Sequence, residues 1–168
     1  MKKVFVILAI CFMAVMPAKA QSVGYVDTEK ILSCIQEYLD AQNELNTLAE
    51  KYKADIQKDV DAIDALYRDY MSKKSSLSAA QQQAKENDII AKEKAVKEKE
   101  DSYFGEKGVL TKRSEKLIGP IQEVVEEAIQ KVAESRGCSV VLDLTVTTGI
   151  VYKNSKYDLT NAVIDYLR

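Results

Sequence analysis

The chain has 168 residues with 24 basic and 26 acidic side chains and no histidine, which removes histidine acid–base catalysis and histidine metal ligation. Its three cysteines form no CxxC pair, and no glycine-rich loop is present to cradle a phosphate. The slightly acidic balance opposes nucleic acid as a partner, because phosphate contacts need a cationic surface.

Lys2-Lys3 precede an apolar run, 4–15, that is too short to span a bilayer as a helix. Pro17 ends the run, and Ala18-Lys19-Ala20 places small residues where a signal peptidase reads them. The expectation is an export signal over residues 1–20, cleaved after Ala20. An uncleaved anchor is the alternative, and the short run opposes it. A lipoprotein is opposed by Cys11, which lies inside the apolar core behind bulky Ile10. No later stretch is apolar enough for stable membrane insertion. Three of the 24 basic residues precede the cut, leaving 21 against 26 acids, a net charge of −5. Cys34 and Cys138 remain, about a hundred residues apart, and export permits a disulfide between them. Two partly buried free thiols are the other reading.

Val23-Gly24-Tyr25-Val26 reads as a short strand, with Gly24 allowing a bend or a close backbone approach. Asp27 can cap a helix opening at Thr28, which carries Ile31, Leu32, Ile35 and Leu39 on one face and is expected to run on into a much longer one. From Tyr38 to Tyr70 the apolar positions recur at about helical spacing, through Ala41, Leu45, Leu48, Tyr52, Ile56, Val60, Ile63 and Tyr67. A polar turn follows around 72–78, and Ser78 with Gln81 forms a capping box for a second helix. That helix repeats by sevens at Ile89, Val96, Tyr103, Leu110, Leu117 and Val124, while Lys92, Lys99, Glu106 and Arg113 occupy its other core positions. The pattern is a long helical hairpin with a thin seam. Gly105 and Gly108, each costing about 1 kcal/mol against Ala in a helix, add to an arm that bends readily.

The two arms differ in charge. Residues 37–70 carry four bases and nine acids, and residues 71–118 carry eleven bases and eight acids. Antiparallel packing therefore sets an acidic helix against a basic one, which favours the hairpin over self-pairing of either arm. Gly119-Pro120 marks a kink or break. Helix resumes through Ile121, Val124, Val125, Ala128, Ile129 and Val132, and Gly137 ends it as a left-handed cap. Residues 138–142 and Ile150-Val151-Tyr152 read as two strands joined by a Thr-rich hairpin loop, 143–149. A last helix starts near Thr160, with Val163 and Leu167 inward and Leu159 against Ile164 as a hydrophobic staple. Three short strands and a small helix are a meagre base for arms this long. Unpaired strand edges and bare apolar faces point to an oligomer.

The leading signal, Val23-Gly24-Tyr25-Val26-Asp27, the segment 117–121 with its Pro, Ser139-Val140-Val141-Leu142-Asp143 and Tyr157-Asp158-Leu159-Thr160 occur in order around this hairpin. Together they resemble the OmpH-like, or Skp, family of periplasmic chaperones. The resemblance implies a mainly α fold with a small β part, a long antiparallel helical hairpin on a small oligomeric β body, assembled as a jellyfish-shaped homotrimer. Residues 21–36 and 119–168 would form the body and 37–118 the tentacle. Val23, Tyr25, Val26, Val140, Val141, Leu142, Ile150, Val151 and Tyr152 would belong to the oligomer body. Such proteins hold unfolded outer-membrane β-barrel proteins without ATP or any other cofactor, on their way to the outer-membrane assembly machinery. Two departures stand out. This chain is acidic where the best-known members are strongly basic, so attraction of acidic clients or lipopolysaccharide is confined to the turn and second arm. Gln36 also replaces the Pro that many relatives place before Glu-Tyr.

Candidate client contacts are Tyr67, Tyr70, Met71, Lys73, Lys74 and Leu77 near the turn, and Lys92, Lys94, Lys97 and Lys99 along the second arm. Asp55, Asp59, Asp61 and Asp64 lack the Gly-turned loop of a calcium site and read as a solvated face. No catalytic constellation emerges, so no enzyme is expected. The competing reading is an exported structural coiled-coil spacer. Binding of a membrane surface through the turn lysines is weaker, since two charges support it poorly.

Overall fold

The computed structural model describes residues 22–168; the expected signal and its cleavage site lie outside them. The order is β1 (Ser22–Val26), α1 (Thr28–Leu32), α2 (Gln36–Lys73), a 3-10 turn (Lys74–Ser76), α3 (Ala79–Phe104), α4 (Val109–Ser135), β2 (Cys138–Asp143), a second 3-10 turn (Ser155–Tyr157) and α5 (Thr160–Tyr166). The protein is mostly helical, with a long helical hairpin and a small two-stranded sheet. Two compact units divide it, one being Glu29–Glu127 and the other joining Ala128–Arg168 to the N-terminal segment that ends at Thr28.

In the larger unit α2 is one unbroken helix of 38 residues. Ala41, Leu45 and Tyr70 are buried along it, Leu48, Tyr52, Ile56, Val60 and Ile63 are half-buried, and Tyr67 is exposed. Three expectations are corrected here. The first helix does not run into α2: Ser33 Oγ donates to the Lys30 carbonyl at 2.9 Å, and Cys34 and Ile35 close tight turns onto Ile31 and Leu32. A hydroxyl that bonds its own backbone competes with the helical ladder, and Ile35 is extended at the start of α2. The second arm breaks rather than bends, with 105–108 separating α3 from α4. Conversely, α4 runs on through Pro120, so of the expected kink or break the break does not occur. One missing helical hydrogen bond is tolerated there because the helix buries Val125, Ala128, Val132 and Ala133 beyond it. Val124, the last residue of the sevenfold repeat, is exposed.

In the smaller unit β1 and β2 run parallel, pairing Val23 with Val140, Tyr25 with Leu142 and Val26 with Asp143. On the other side of β1, Tyr25 bridges to Asp158 and accepts from the Leu159 N–H at 2.9 Å. Val26, Leu159, Thr160, Val163 and Ile164 are buried. Gly24 is a close-approach glycine, since a Cβ there would lie 2.8 Å from Leu159 Cδ1. Gly137 ends α4 at φ +68°, as a left-handed cap should. The expected hairpin over 143–149 and the strand at Ile150-Val151-Tyr152 do not form. The Leu144 N–H continues the ladder to Val26 O at 2.8 Å, and the Thr147 N–H then closes a turn onto Asp143 O at 3.0 Å in place of a hairpin along β2.

Candidate functional site

The turn of the hairpin is built by its own backbone needs. Ser78 Oγ accepts from the Gln81 N–H while Gln81 Oε1 accepts from the Ser78 N–H, the expected capping box. Gln82 Nε2 donates to the carbonyls of Lys74 and Leu77 and closes the 3-10 turn against α3. Across the arms, buried Tyr70 donates its hydroxyl to Glu86, and Lys74 Nζ lies 3.5 Å from Glu86 and 5.1 Å from the Tyr70 ring centroid. The Tyr70 hydrogen bond, followed by the charge of Lys74, holds the Glu86 carboxyl below its usual range.

Beside this relay is a groove of about 300 Å³ lined by Tyr67, Tyr70, Met71, Lys74, Glu86, Ile89, Ile90 and Glu93. Tyr67, Met71 and Ile90 are exposed to 52%, 51% and 60%. Their positions place one apolar surface across both arms. A second groove of about 310 Å³ lies on Ala62, Ile63, Leu66, Ala95 and Val96, flanked by Lys92 and by Asp59 with Lys99.

The sequence-derived contact residues thus divide. Tyr67 and Met71 are open, Leu77 is half-buried in the turn, and Tyr70 is a seam residue at 3% exposure. Lys73 pairs with Asp69, Lys92 with Asp88 and Lys94 with Glu98, all within one helix, while Lys97 is exposed. Lys99 faces the other arm, with Nζ 2.7 Å from both Asp55 and Asp59. Tyr103 donates to Asp55 at 2.9 Å and stacks on Tyr52 at 4.1 Å between centroids, with Phe104 edge-on to Tyr52. Asp61 and Asp64 are exposed, as a solvated face would be, whereas Asp55 and Asp59, their side chains still 41% and 47% exposed, are also paired across the arms. The charged heptad residues Lys99 and Arg113 are among the cross-arm ties, Arg113 meeting Glu44 at 2.6 Å. Ile90, missed from the sequence, was signalled by the Ile89-Ile90 pair: one faces the seam, so its neighbour faces outward.

In the smaller unit Tyr25 and Val26 are buried within the chain, whereas Val23, Val140, Leu142, Ile150, Val151 and Tyr152 are exposed, Val151 to 99%. Cys34 is exposed and Cys138 half-buried, and both carry free thiols. Among the described residues no group of three or more potential ligands is placed for a metal, and no helix is long and apolar enough to cross a membrane.

Over residues 22–167 the chain matches the OmpH-like outer membrane protein family, and it belongs to that family. Its fold is similar to the crystal structure of an OmpH-like protein of Caulobacter crescentus CB15, named as an outer membrane chaperone. The TM-score is 0.60 at 19% identity, covering 88% of this chain and 84% of that one. No curated protein matches.

Proposed function

We propose that this OmpH-like chain is an ATP-independent holdase which, after export to the periplasm, binds unfolded outer-membrane β-barrel proteins and prevents their aggregation on the way to the assembly machinery. The observation that carries this reading is the half-exposed Tyr67, Met71 and Ile90 in one groove across both arms. Scattered exposed apolar groups need no explanation, but three sharing a groove mark a contact surface. An unfolded barrel strand presents alternating apolar side chains about 7 Å apart, close to the roughly 6 Å between residues one helical turn apart such as Tyr67 and Met71. Each contact is weak, and several copies acting together would raise the joint strength through effective concentration.

Homotrimer formation is part of the proposal. Among the described residues β2 is paired on one side only, and a two-stranded sheet is marginal alone. Val140, Leu142, Ile150, Val151 and Tyr152 offer apolar groups and unpaired backbone to neighbouring copies.

The test is light scattering as a urea-unfolded outer-membrane barrel is diluted into buffer with the purified chain from Gln21 and no nucleotide. Suppression saturating near three chains per client is expected. No suppression at several-fold excess would overturn the reading in favour of a structural coiled-coil spacer.

A further inference from the structure

We propose that residues 105–108 form a hinge in one arm of the hairpin, and that Lys99, Tyr103, Asp55, Asp59 and Tyr52 form the bolt that holds it shut. The break is one-sided: α3 stops at Phe104 and α4 starts at Val109, while α2 passes opposite without interruption. Both glycines are required by the geometry. A Cβ on Gly105 would lie 2.4 Å from the Asp101 carbonyl, and one on Gly108 would lie 2.7 Å from the Tyr103 carbonyl. The segment is not loose, since the Gly108 N–H and Thr111 Oγ1 both donate to Gly105 O, at 2.8 and 3.0 Å.

The cross-arm polar ties are concentrated where such a hinge needs them. One set is at the turn, on Glu86 and Asp69. The other brackets the break, with Lys99 and Tyr103 on one side and Arg113 on the other. Between the two sets the arms meet over the groove of small and aliphatic side chains. Lys99 has the least exposed side chain of any ion-paired cation among the described residues, 29%, and a partly shielded pair is screened less by salt than an open one. Its hydrogen bonds to Asp55 and then Asp59 hold the ammonium well above its ordinary pKa. Releasing these ties frees the C-terminal part of α3 to swing from α2 about 105–108 while its other end stays held at the turn, and changes the width of the groove on Ala62, Ile63, Leu66, Ala95 and Val96. The device is independent of what the grooves bind.

The experiment is amide hydrogen exchange on the purified protein and three variants. Lys99→Met removes the charge and keeps the stem. Tyr103→Phe removes only the hydroxyl and keeps the stack. Lys94→Met is the control, its partner Glu98 being on its own helix. The expected result is about tenfold faster exchange over 104–112 in Lys99→Met and a smaller local rise in Tyr103→Phe. Residues 79–92 should be unchanged in both, as should the control throughout. Unchanged exchange over 104–112, or equal acceleration along both arms, would overturn the bolt. If Lys99→Met loses its helical circular dichroism, Tyr103→Phe decides alone, because it leaves the aromatic packing in place.

Discussion

At the end of β2 one carboxylate holds three segments together. Asp143 accepts from the N–H and hydroxyl of Thr28, at 3.4 and 2.7 Å, and from the N–H and hydroxyl of Thr145, at 3.0 and 2.9 Å. Partial burial works against its charged form, but these four bonds together outweigh it and hold the carboxyl below its usual range. Asp143→Ala should cost about 1–3 kcal/mol, the penalty of leaving partly buried donors without an acceptor. Urea unfolding followed by circular dichroism would read this as a lower midpoint with an unchanged slope. A change under about 0.5 kcal/mol would mean that water replaces the carboxylate without loss. In the sequence Asp143 is only the last residue of a strand motif, because Thr28, which supplies half of its bonds, lies 115 positions away. Local chemistry was readable, as at Ser78 and Gly137. Distant chemistry was not: Asp55 and Asp59 have the spacing of an exposed stripe, and only antiparallel register puts Lys99 and Tyr103 opposite them.

For whole elements the sequence signal is strongest where the chain repeats. The arms of the hairpin and the final helix follow from apolar spacing, and the turn follows from the Ser78–Gln81 box. Breaks are read less well, because glycine and proline act through context. Pro120 sits inside a continuous helix, while Gly105 and Gly108, tolerable in an isolated helix, end one here. The strand expected at Ile150-Val151-Tyr152 fails for a related reason. Its composition suits a sheet, but the turn closed by Thr147 onto Asp143 comes before it. The cap gives a clean test at this scale. Ser78→Ala removes the acceptor for the Gln81 N–H and should cost about 1 kcal/mol. Faster amide exchange is then expected over the first turn of α3, with the rest of that helix unchanged. Equal exchange there would show that Gln82, bonded to Lys74 O and Leu77 O, closes the turn alone.

Assembly and acid response belong to the whole molecule. Val151 is almost fully exposed in the single chain, so Val151→Asp should leave the monomer's stability unchanged. In the proposed trimer the same change would bury a charge, and sedimentation equilibrium should then show dissociation at concentrations where the unaltered protein is assembled. Acid acts on a different set of groups. Asp55, Asp69 and Glu86 are all held below their usual carboxylate range, chiefly by hydrogen bonds from Lys99, Lys73 and Tyr70 respectively. A carboxyl whose folded pKa lies below its unfolded value is charged in the folded protein where the unfolded chain has already bound a proton. Its contribution is therefore complete above the ordinary carboxylate value of about 4 and is lost as pH falls through the lower folded value. Lys99, raised in the folded state, stays charged throughout that window and adds nothing to the slope. Thermal unfolding should accordingly show a nearly constant midpoint from about pH 5 to pH 8 and a fall below about pH 4. Because Asp55 ties Lys99 and Tyr103 while Glu86 ties Tyr70 and Lys74, the same acidification should loosen the hairpin at its turn and at its break together. A protein whose midpoint rose on acidification would show that repulsion among the nine acids of residues 37–70 outweighs every cross-arm tie.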